Sequence, residues 1–152
     1  MKKLIKPSGL LLFFSLIMLA VISGCSSDAS DELPGTVSKF VTQYFPDMGV
    51  KSYQTSASGN SVVVMSGGPT IMFDKDERWT EIDGNGSVLP EVLMYDELPP
   101  ELYSYLQSTE QQNGVYELKR DKYYYKLTML DTVLTYDIAT GKVTYPGSSS
   151  TE

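Results

Sequence analysis

The sequence contains no histidine, a single cysteine and few basic residues, with 12 Lys and Arg against 19 Asp and Glu. The absence of histidine excludes His-based catalytic triads, His proton shuttles and nearly every zinc or copper site. The net charge of −7 argues against nucleic acid as a partner, because binding to phosphates needs clustered Lys and Arg. Hydrophobic residues make up 41% of the 152 residues, which is enough for the packed core of one small domain.

The N-terminal segment, from Met1 to Cys25, has the pattern of an export signal. Three lysines precede an apolar run from Leu10 to Ile22, which is short for a membrane-spanning helix. The run ends in Ser23-Gly24-Cys25, which resembles the bacterial lipobox, whose cysteine is acylated and becomes the new N-terminus. Cys25 is the sole cysteine, so neither a disulfide nor thiol catalysis remains. We therefore expect a signal peptide at residues 1–24 and a fatty-acyl membrane anchor, of the palmitate type, at Cys25.

Cleavage before Cys25 removes three lysines and no acidic residue, so the net charge changes from −7 to −10 in the mature chain. Residues 25–31 are small and polar and are predicted to form a tether. Ser26 resembles the signals that permit sorting to the outer membrane. Asp28, Asp31 and Glu32 resemble the surface-export tags of Bacteroidetes lipoproteins. We expect an outer-membrane lipoprotein of the cell envelope that faces the periplasm or the cell surface.

Residues 32–87 are predicted to form one helix followed by four strands. Pro34 is suited to the first turn of the helix, and apolar residues recur with helical spacing from Val37 to Phe45. Pro46 ends the helix, because proline cannot continue its hydrogen-bond ladder. Turn-forming residues then separate four strand-like segments. The segments are residues 50–54, 61–65, 70–74 and 78–83.

Residues 88–147 are predicted to be a linker and a second unit of the same kind, followed by a tail at 148–152. Leu33-Pro34 matches Leu98-Pro99, and Ile82 matches Tyr145 at nearly the same spacing, which indicates a tandem repeat. The predicted fold class is α+β, an antiparallel sheet with helices on one face. The apolar face of the second helix carries Leu98, Leu102, Tyr105 and Leu106. The strand-like segments are residues 115–119, 122–130, 133–137 and 142–145.

Several segments of this pattern resemble the PepSY-like lipoproteins of Bacteroidetes, which are similar in fold to the beta-lactamase inhibitory protein. The resemblance rests on Leu33-Pro34, Tyr44-Phe45-Pro46, Ile71-Met72-Phe73-Asp74 and the segment from Trp79 to Gly84. It covers residues 32–147 and implies tandem repeats, an exported location and no established enzymatic reaction. One departure is Asp76-Glu77, which stands where the family has Gly in the turn before Trp79.

Alternation of side chains along a strand divides the residues of the second unit between the two faces of the sheet. The face that packs against the helices, here called the core face, is predicted to carry Tyr123, Tyr125, Leu127 and Met129. The opposite face, here called the open face, is predicted to carry Tyr124, Lys126 and Thr128.

The face of each residue in the first unit is predicted from the residue 63 positions later in the second unit, which is the spacing between Ile82 and Tyr145. This transfer predicts an apolar patch on the open face of the first unit. Val62, Val64 and Thr80 are assigned to the core face, as are Ile71, Phe73 and Ile82. Exposed apolar patches of this kind mark interaction sites, and Trp is a frequent interface anchor. The alternative is that the linker at residues 88–97, which is itself apolar, folds over the patch. The predicted partner-binding residues are Val63, Met65, Met72 and Trp79, with Glu81 at the rim.

We therefore expect a non-catalytic binding module that is anchored by its lipid and engages a protein or peptide at the open face. It needs no cofactor. A partner with basic character would suit the net charge of −10. The resemblance to an inhibitor makes an enzyme partner an analogy only, because fold does not carry function across. Two other classes stay open: a structural component of the envelope without a discrete partner, and a carboxylate-dependent hydrolase.

The acidic turns between residues 74 and 87 contain one segment that is similar to a calcium-binding loop. The segment from Asp83 to Ser87 resembles the start of such a loop, but Met94 stands where the closing bidentate Glu belongs. Solvated hairpin turns are the favoured interpretation. No metal site is expected.

A Cys25→Ser substitution tests the predicted anchor. Serine cannot form the thioether to diacylglycerol, so the precursor should stay uncleaved by the lipoprotein signal peptidase and should carry no lipid. Metabolic labelling with a fatty acid measures this directly. Label on the Cys25→Ser protein equal to that on the wild type would show that the lipobox interpretation is wrong.

Overall fold

The computed structural model describes residues 33–147. The predicted signal peptide, the Cys25 anchor, the tether and the tail lie outside these residues. No helix in the described part of the chain is long and apolar enough to cross a membrane.

The described residues form three helices and eight strands, in an order that repeats once. The first unit contains α1 (Gly35–Tyr44), β1 (Val50–Thr55), β2 (Ser61–Met65), β3 (Thr70–Phe73) and β4 (Trp79–Asp83). The second contains α2 (Glu91–Glu97), α3 (Pro100–Ser108), β5 (Val115–Arg120), β6 (Tyr124–Met129), β7 (Val133–Asp137) and β8 (Val143–Thr144). The α+β fold with two helix-and-four-strand units is confirmed.

All eight strands form one antiparallel sheet in which each strand pairs with the next along the chain. Strand β4 pairs with β5, so the sheet is continuous across the two units. Buried apolar side chains from the helices and from one side of every strand except the edge strands form a single core. An antiparallel sheet can leave its other face to water, and this sheet does so over the described residues.

Helix α1 packs through the predicted apolar stripe. Val37, Val41 and Tyr44 are buried on it, and Phe45 is buried directly after it. The helix begins after Pro34, and the N–H of Phe45 bonds to the carbonyl of Val41 before Pro46 ends the ladder. The prediction for this helix is confirmed.

The linker at residues 88–97 contains helix α2, which the sequence analysis missed. Leu93 and Met94 of α2 are fully buried, and Leu89 is 3% exposed. The helix begins after Pro90, and Pro99 separates α2 from α3. The chain between the units is therefore part of the core on the helical side of the sheet, and it does not fold over the open face as the alternative had it.

A β-bulge at Thr80 determines which way Trp79 faces. Met72 pairs with Glu81 but Phe73 pairs with Trp79, so Thr80 is an extra residue without a partner across the ladder. An extra residue shifts the alternation by one position. Trp79 therefore shares the core face with Phe73 and is 2% exposed. Its assignment to the open face, and that of half-buried Thr80 to the core face, were wrong.

The assignment of strand β2 was wrong for a second reason, the length of a hairpin loop. Met65 bonds through its N–H to the carbonyl of Pro69, whereas Met129 bonds to that of Thr132, so the first loop is one residue longer. Gly67, at φ +68°, allows the longer turn. Hence Val63, not Val62, matches Leu127. Val63 and Met65 are buried on the core face, and Val62 and Val64 lie half-buried on the open face.

The faces of the second unit agree with the prediction except at Tyr123. Leu127 and Met129 are buried, Tyr125 packs against the core, and Lys126 is exposed. Tyr123 is 56% exposed because it precedes the strand. The carboxylate of Asp121 accepts the N–H groups of both Tyr123 and Tyr124, which makes Tyr123 part of a turn.

Neighbouring residues of β6 test the two faces. Leu127→Ala should lower the free energy of unfolding by about 2–5 kcal/mol, because it removes fully buried surface and leaves a cavity. Lys126→Ala, on the exposed side, should change it by no more than about 0.5 kcal/mol. Urea titration followed by circular dichroism measures both values. Equal losses would mean that the open face is covered as well.

Candidate functional site

The open face presents two parallel rows of side chains that run across the strands. The pairing of residues between neighbouring strands defines both rows. The first row is Gln54, Val62, Met72, Glu81, Lys119, Lys126, Thr135 and Thr144. The second row is Ser52, Val64, Thr70, Asp83, Glu117, Thr128 and Val133. The face is therefore apolar at β2 and β3, charged at its centre and rich in threonine toward β8.

Met72, Val62 and Val64 form the apolar part of this face. Met72 is 37% exposed, and Val62 lies directly across the ladder from it. Of the five predicted partner-binding residues, Met72 and Glu81 lie on the open face. Val63, Met65 and Trp79 are no more than 2% exposed and belong to the core, so the patch predicted from them does not exist on this surface.

The charged centre is held together by Lys119. Its ammonium lies 2.8 Å from a carboxylate oxygen of Glu117 and 3.3 Å from one of Glu81. The Thr128 hydroxyl donates to the other oxygen of Glu117, at 2.8 Å. The hydrogen bond from Lys119 lowers the pKa of the Glu117 carboxyl, although burial opposes it, and the same bond raises the pKa of Lys119. Both groups therefore stay charged at neutral pH.

On the other side of the sheet, Trp79 takes part in a polar cluster under the helices. Its Nε1 donates to a carboxylate oxygen of Glu97 at 2.6 Å, and the Tyr44 hydroxyl donates to the other oxygen at 2.9 Å. Arg120 stacks on the indole, with its guanidinium carbon 4.0 Å from the ring centroid. Glu97 thus connects α1, α2 and β4 through one carboxylate.

The Tyr44 hydroxyl remains a donor over the whole physiological range. Burial raises the pKa of this phenol, and the carboxylates of Glu97 and Asp96 raise it further. A phenol with a raised pKa keeps its proton, so the bond to Glu97 persists.

The acidic turn at Asp74 is occupied by the protein's own cation. One oxygen of Asp74 accepts the backbone N–H groups of Asp76 and Arg78. The Arg78 guanidinium lies 3.0 Å from the Asp74 carboxylate and 3.2 Å from the Asp76 carboxylate. Burial raises the pKa of the Asp74 carboxyl, but these hydrogen bonds and the Arg78 charge lower it by more. No cluster of acidic, His or Cys ligands suited to a metal ion occurs within residues 33–147.

Exposed apolar residues also occur around α2, which the sequence analysis did not propose. Val88 and Val92 are about half exposed, and Tyr95 is 66% exposed. The helical spacing of Val92 and Tyr95 was the available signal, but the sequence analysis treated residues 88–97 only as an apolar linker. These residues lie on the helical layer and not on the open face.

No protein-family model matches this sequence, and no curated protein matches it. Solved structures do share the fold. A candidate periplasmic protein of the DUF2874 family from Bacteroides vulgatus ATCC 8482 has a TM-score of 0.61 and 23% identity, over 76% of this chain and 90% of that one. A candidate calcium-regulated periplasmic protein from Bacteroides thetaiotaomicron has a TM-score of 0.61 and 21% identity, over 76% and 92%.

A third structure, a candidate periplasmic protein of unknown function from Bacteroides vulgatus ATCC 8482, has a TM-score of 0.60 and 17% identity, over 75% of this chain and 93% of that one. At these identities the similarity shows the fold alone. Each comparison covers at least 90% of the other protein, so the shared fold extends over nearly the whole of it.

The fluorescence of Trp79 tests its placement in the core. It is the single Trp of the chain, so the emission has one source. A side chain that is 2% exposed should emit at short wavelength and should resist quenching by acrylamide. Urea-unfolded protein provides the control, with red-shifted emission that acrylamide quenches readily. Red-shifted, quenchable emission from the folded protein would show that Trp79 is exposed and not part of the core.

Proposed function

We propose that this chain is an exported, lipid-anchored, non-catalytic module that binds a protein or peptide through the open face of its sheet. The observation that supports this most directly is the face itself. Eight strands present one side without a covering element from residues 33–147, and that side carries exposed Met72 beside Val62 and Val64. Apolar surface that is kept in water at the side of a charged cluster is typical of an interaction site.

The location is supported by two separate observations. The segment from Met1 to Cys25 has the pattern of a lipoprotein signal. The three solved structures of the same fold are described as candidate periplasmic proteins. An envelope protein held by an acyl chain at Cys25, with residues 25–31 as a tether, combines both.

The charges of the face indicate the kind of partner. Glu81, Asp83 and Glu117 outnumber Lys119 and Lys126, and Lys119 is already paired with two of the carboxylates. A partner segment that places an apolar side chain on Met72 and a basic side chain near Glu81 would complement both features. An extended segment suits the face, since its side chains would follow the rows across the strands.

A cross-linking experiment tests this site. A photo-reactive benzoylphenylalanine at position 72, expressed in the native envelope, should form a discrete protein or peptide adduct on illumination. The same group at position 130 is the control, because Leu130 is 79% exposed but lies in the turn between β6 and β7. Adducts at both positions, or none at position 72, would contradict the proposal and would favour a structural envelope component.

The basic character of the partner has its own test. Glu81→Lys reverses the charge beside Met72, so it should lower the yield of the position-72 adduct by roughly tenfold, the effect of about 1.4 kcal/mol in binding. The fold should tolerate this change, because partly exposed ion pairs contribute little to stability. Lys142→Glu, which makes the opposite charge change at an exposed site outside both rows, is the control. An unchanged yield with Glu81→Lys would show that the partner is not basic.

A further inference from the structure

A small cavity lies at the end of the sheet where β4 begins and β5 turns into β6. Its volume is about 300 Å³, and Trp79, Thr80, Arg120, Lys122 and Tyr125 are among the residues that line it. This volume is at the lower end of the range for ligand-binding cavities. The cavity is separate from the Met72 region of the open face.

Arg120 is the central feature of this cavity. The side chain is half-buried and fixed in place: it stacks on Trp79, and its Nε donates to the Trp79 carbonyl oxygen at 2.7 Å. Within residues 33–147 it has no ion pair, and Nε is its one hydrogen-bonding nitrogen. The two terminal nitrogens of a rigidly held guanidinium are thus left without an acceptor.

The carboxylates near Arg120 are already engaged by other groups. Glu97 accepts from Trp79 Nε1 and from Tyr44. Asp74 is bound to Arg78, and one oxygen of Asp121 caps the turn at Tyr123 and Tyr124.

Lys122 adds a second cation at the rim of the cavity. Its ammonium lies 4.6 Å from the ring centroid of Tyr123 and forms no ion pair with the described residues. The lining contains three cations, Arg78 included, and two carboxylates, so it has a net charge of +1.

We propose that this cavity binds a carboxylate group, with the terminal nitrogens of Arg120 as a two-pronged donor and Lys122 as a supporting charge. Planar guanidinium groups match carboxylates in this way. A single negative charge balances the lining, whereas a doubly charged phosphate would be repelled by Asp74 and Asp121. Trp79 and Tyr125 supply an aromatic wall for the rest of the ligand. The carboxylate is that of a small organic acid or of a peptide C-terminus.

The emission of Trp79 reports occupancy, because the ligand would bind the guanidinium that covers the indole. N-acetylalanine, added to the detergent-solubilised full chain, should change this emission in a saturable way. N-acetylalanine amide, which has the same shape without the charge, should bind at least roughly tenfold more weakly. A blocked tripeptide with a free C-terminus is the second acid. Tighter binding of this tripeptide indicates a peptide end as the ligand, and tighter binding of N-acetylalanine indicates a small acid.

Variants connect the signal to the cavity. Arg120→Gln should weaken binding of the acid by roughly tenfold or more. Arg120→Lys should restore only part of the affinity, because an ammonium group lacks the paired donors of the guanidinium. Lys142→Gln removes the same charge at an exposed site and should bind as the wild type does. Should Arg120→Gln fail to fold, Lys122→Gln at the exposed rim replaces it, with an expected loss of a few-fold.

Three results would overturn the carboxylate site: equal affinity for the acid and the amide, binding unaffected by the variants at Arg120 or Lys122, or tighter binding of inorganic phosphate. None of them bears on cross-linking at position 72.

Discussion

Thr80 has no partner in the ladder between β3 and β4, and the placement of Trp79 depends on this extra residue. Without the bulge, Trp79 would lie on the same side of the sheet as Glu81, with its large apolar surface in water. With it, the indole is buried and its N–H reaches Glu97. Trp79 is thus kept off the open face, where Met72 and Tyr124 are the large apolar side chains of the strands that stay exposed. The extra residue Thr80 thus decides that Trp79 belongs to the core and not to the candidate binding surface.

Glu97 satisfies the buried polar groups that this arrangement creates. An indole N–H without an acceptor under the helices would cost about 1–3 kcal/mol, and so would the Tyr44 hydroxyl. One carboxylate accepts from both and connects the two repeat units. Arg120 stacks on the face of the same indole and forms no ion pair with a carboxylate in the described chain.

Most of the fold could be predicted from periodicity and turn residues, because these reflect burial within a few neighbouring positions. Helix α1 and the strands of both units are examples. The transfer of faces between units failed at Val63 and Met65, since it assumed one constant offset between the two units. The offset between the units changes where one hairpin loop is one residue longer. Side chains alternate between the two faces of a strand, so an error of one residue in the offset assigns every side chain to the wrong face. Of the five residues predicted to bind a partner, Met72 and Glu81 do lie on the open face, and their role stays a prediction.

The bulges themselves leave a trace in the sequence. In β1, β4 and β5 the inward-facing apolar residues are three apart rather than two, and each ladder shifts register between them. These pairs are Val50 and Tyr53, Trp79 and Ile82, and Val115 and Leu118. Strict alternation would place Trp79 with Glu81 and Asp83, a combination that is costly on either face, because it would bury charge or expose the indole. An apolar pair at this spacing, with charge between its members, therefore indicates a bulge. The bulges direct Val50, Trp79 and Val115 to the core face. The open face therefore keeps the polar and charged residues of these three strands.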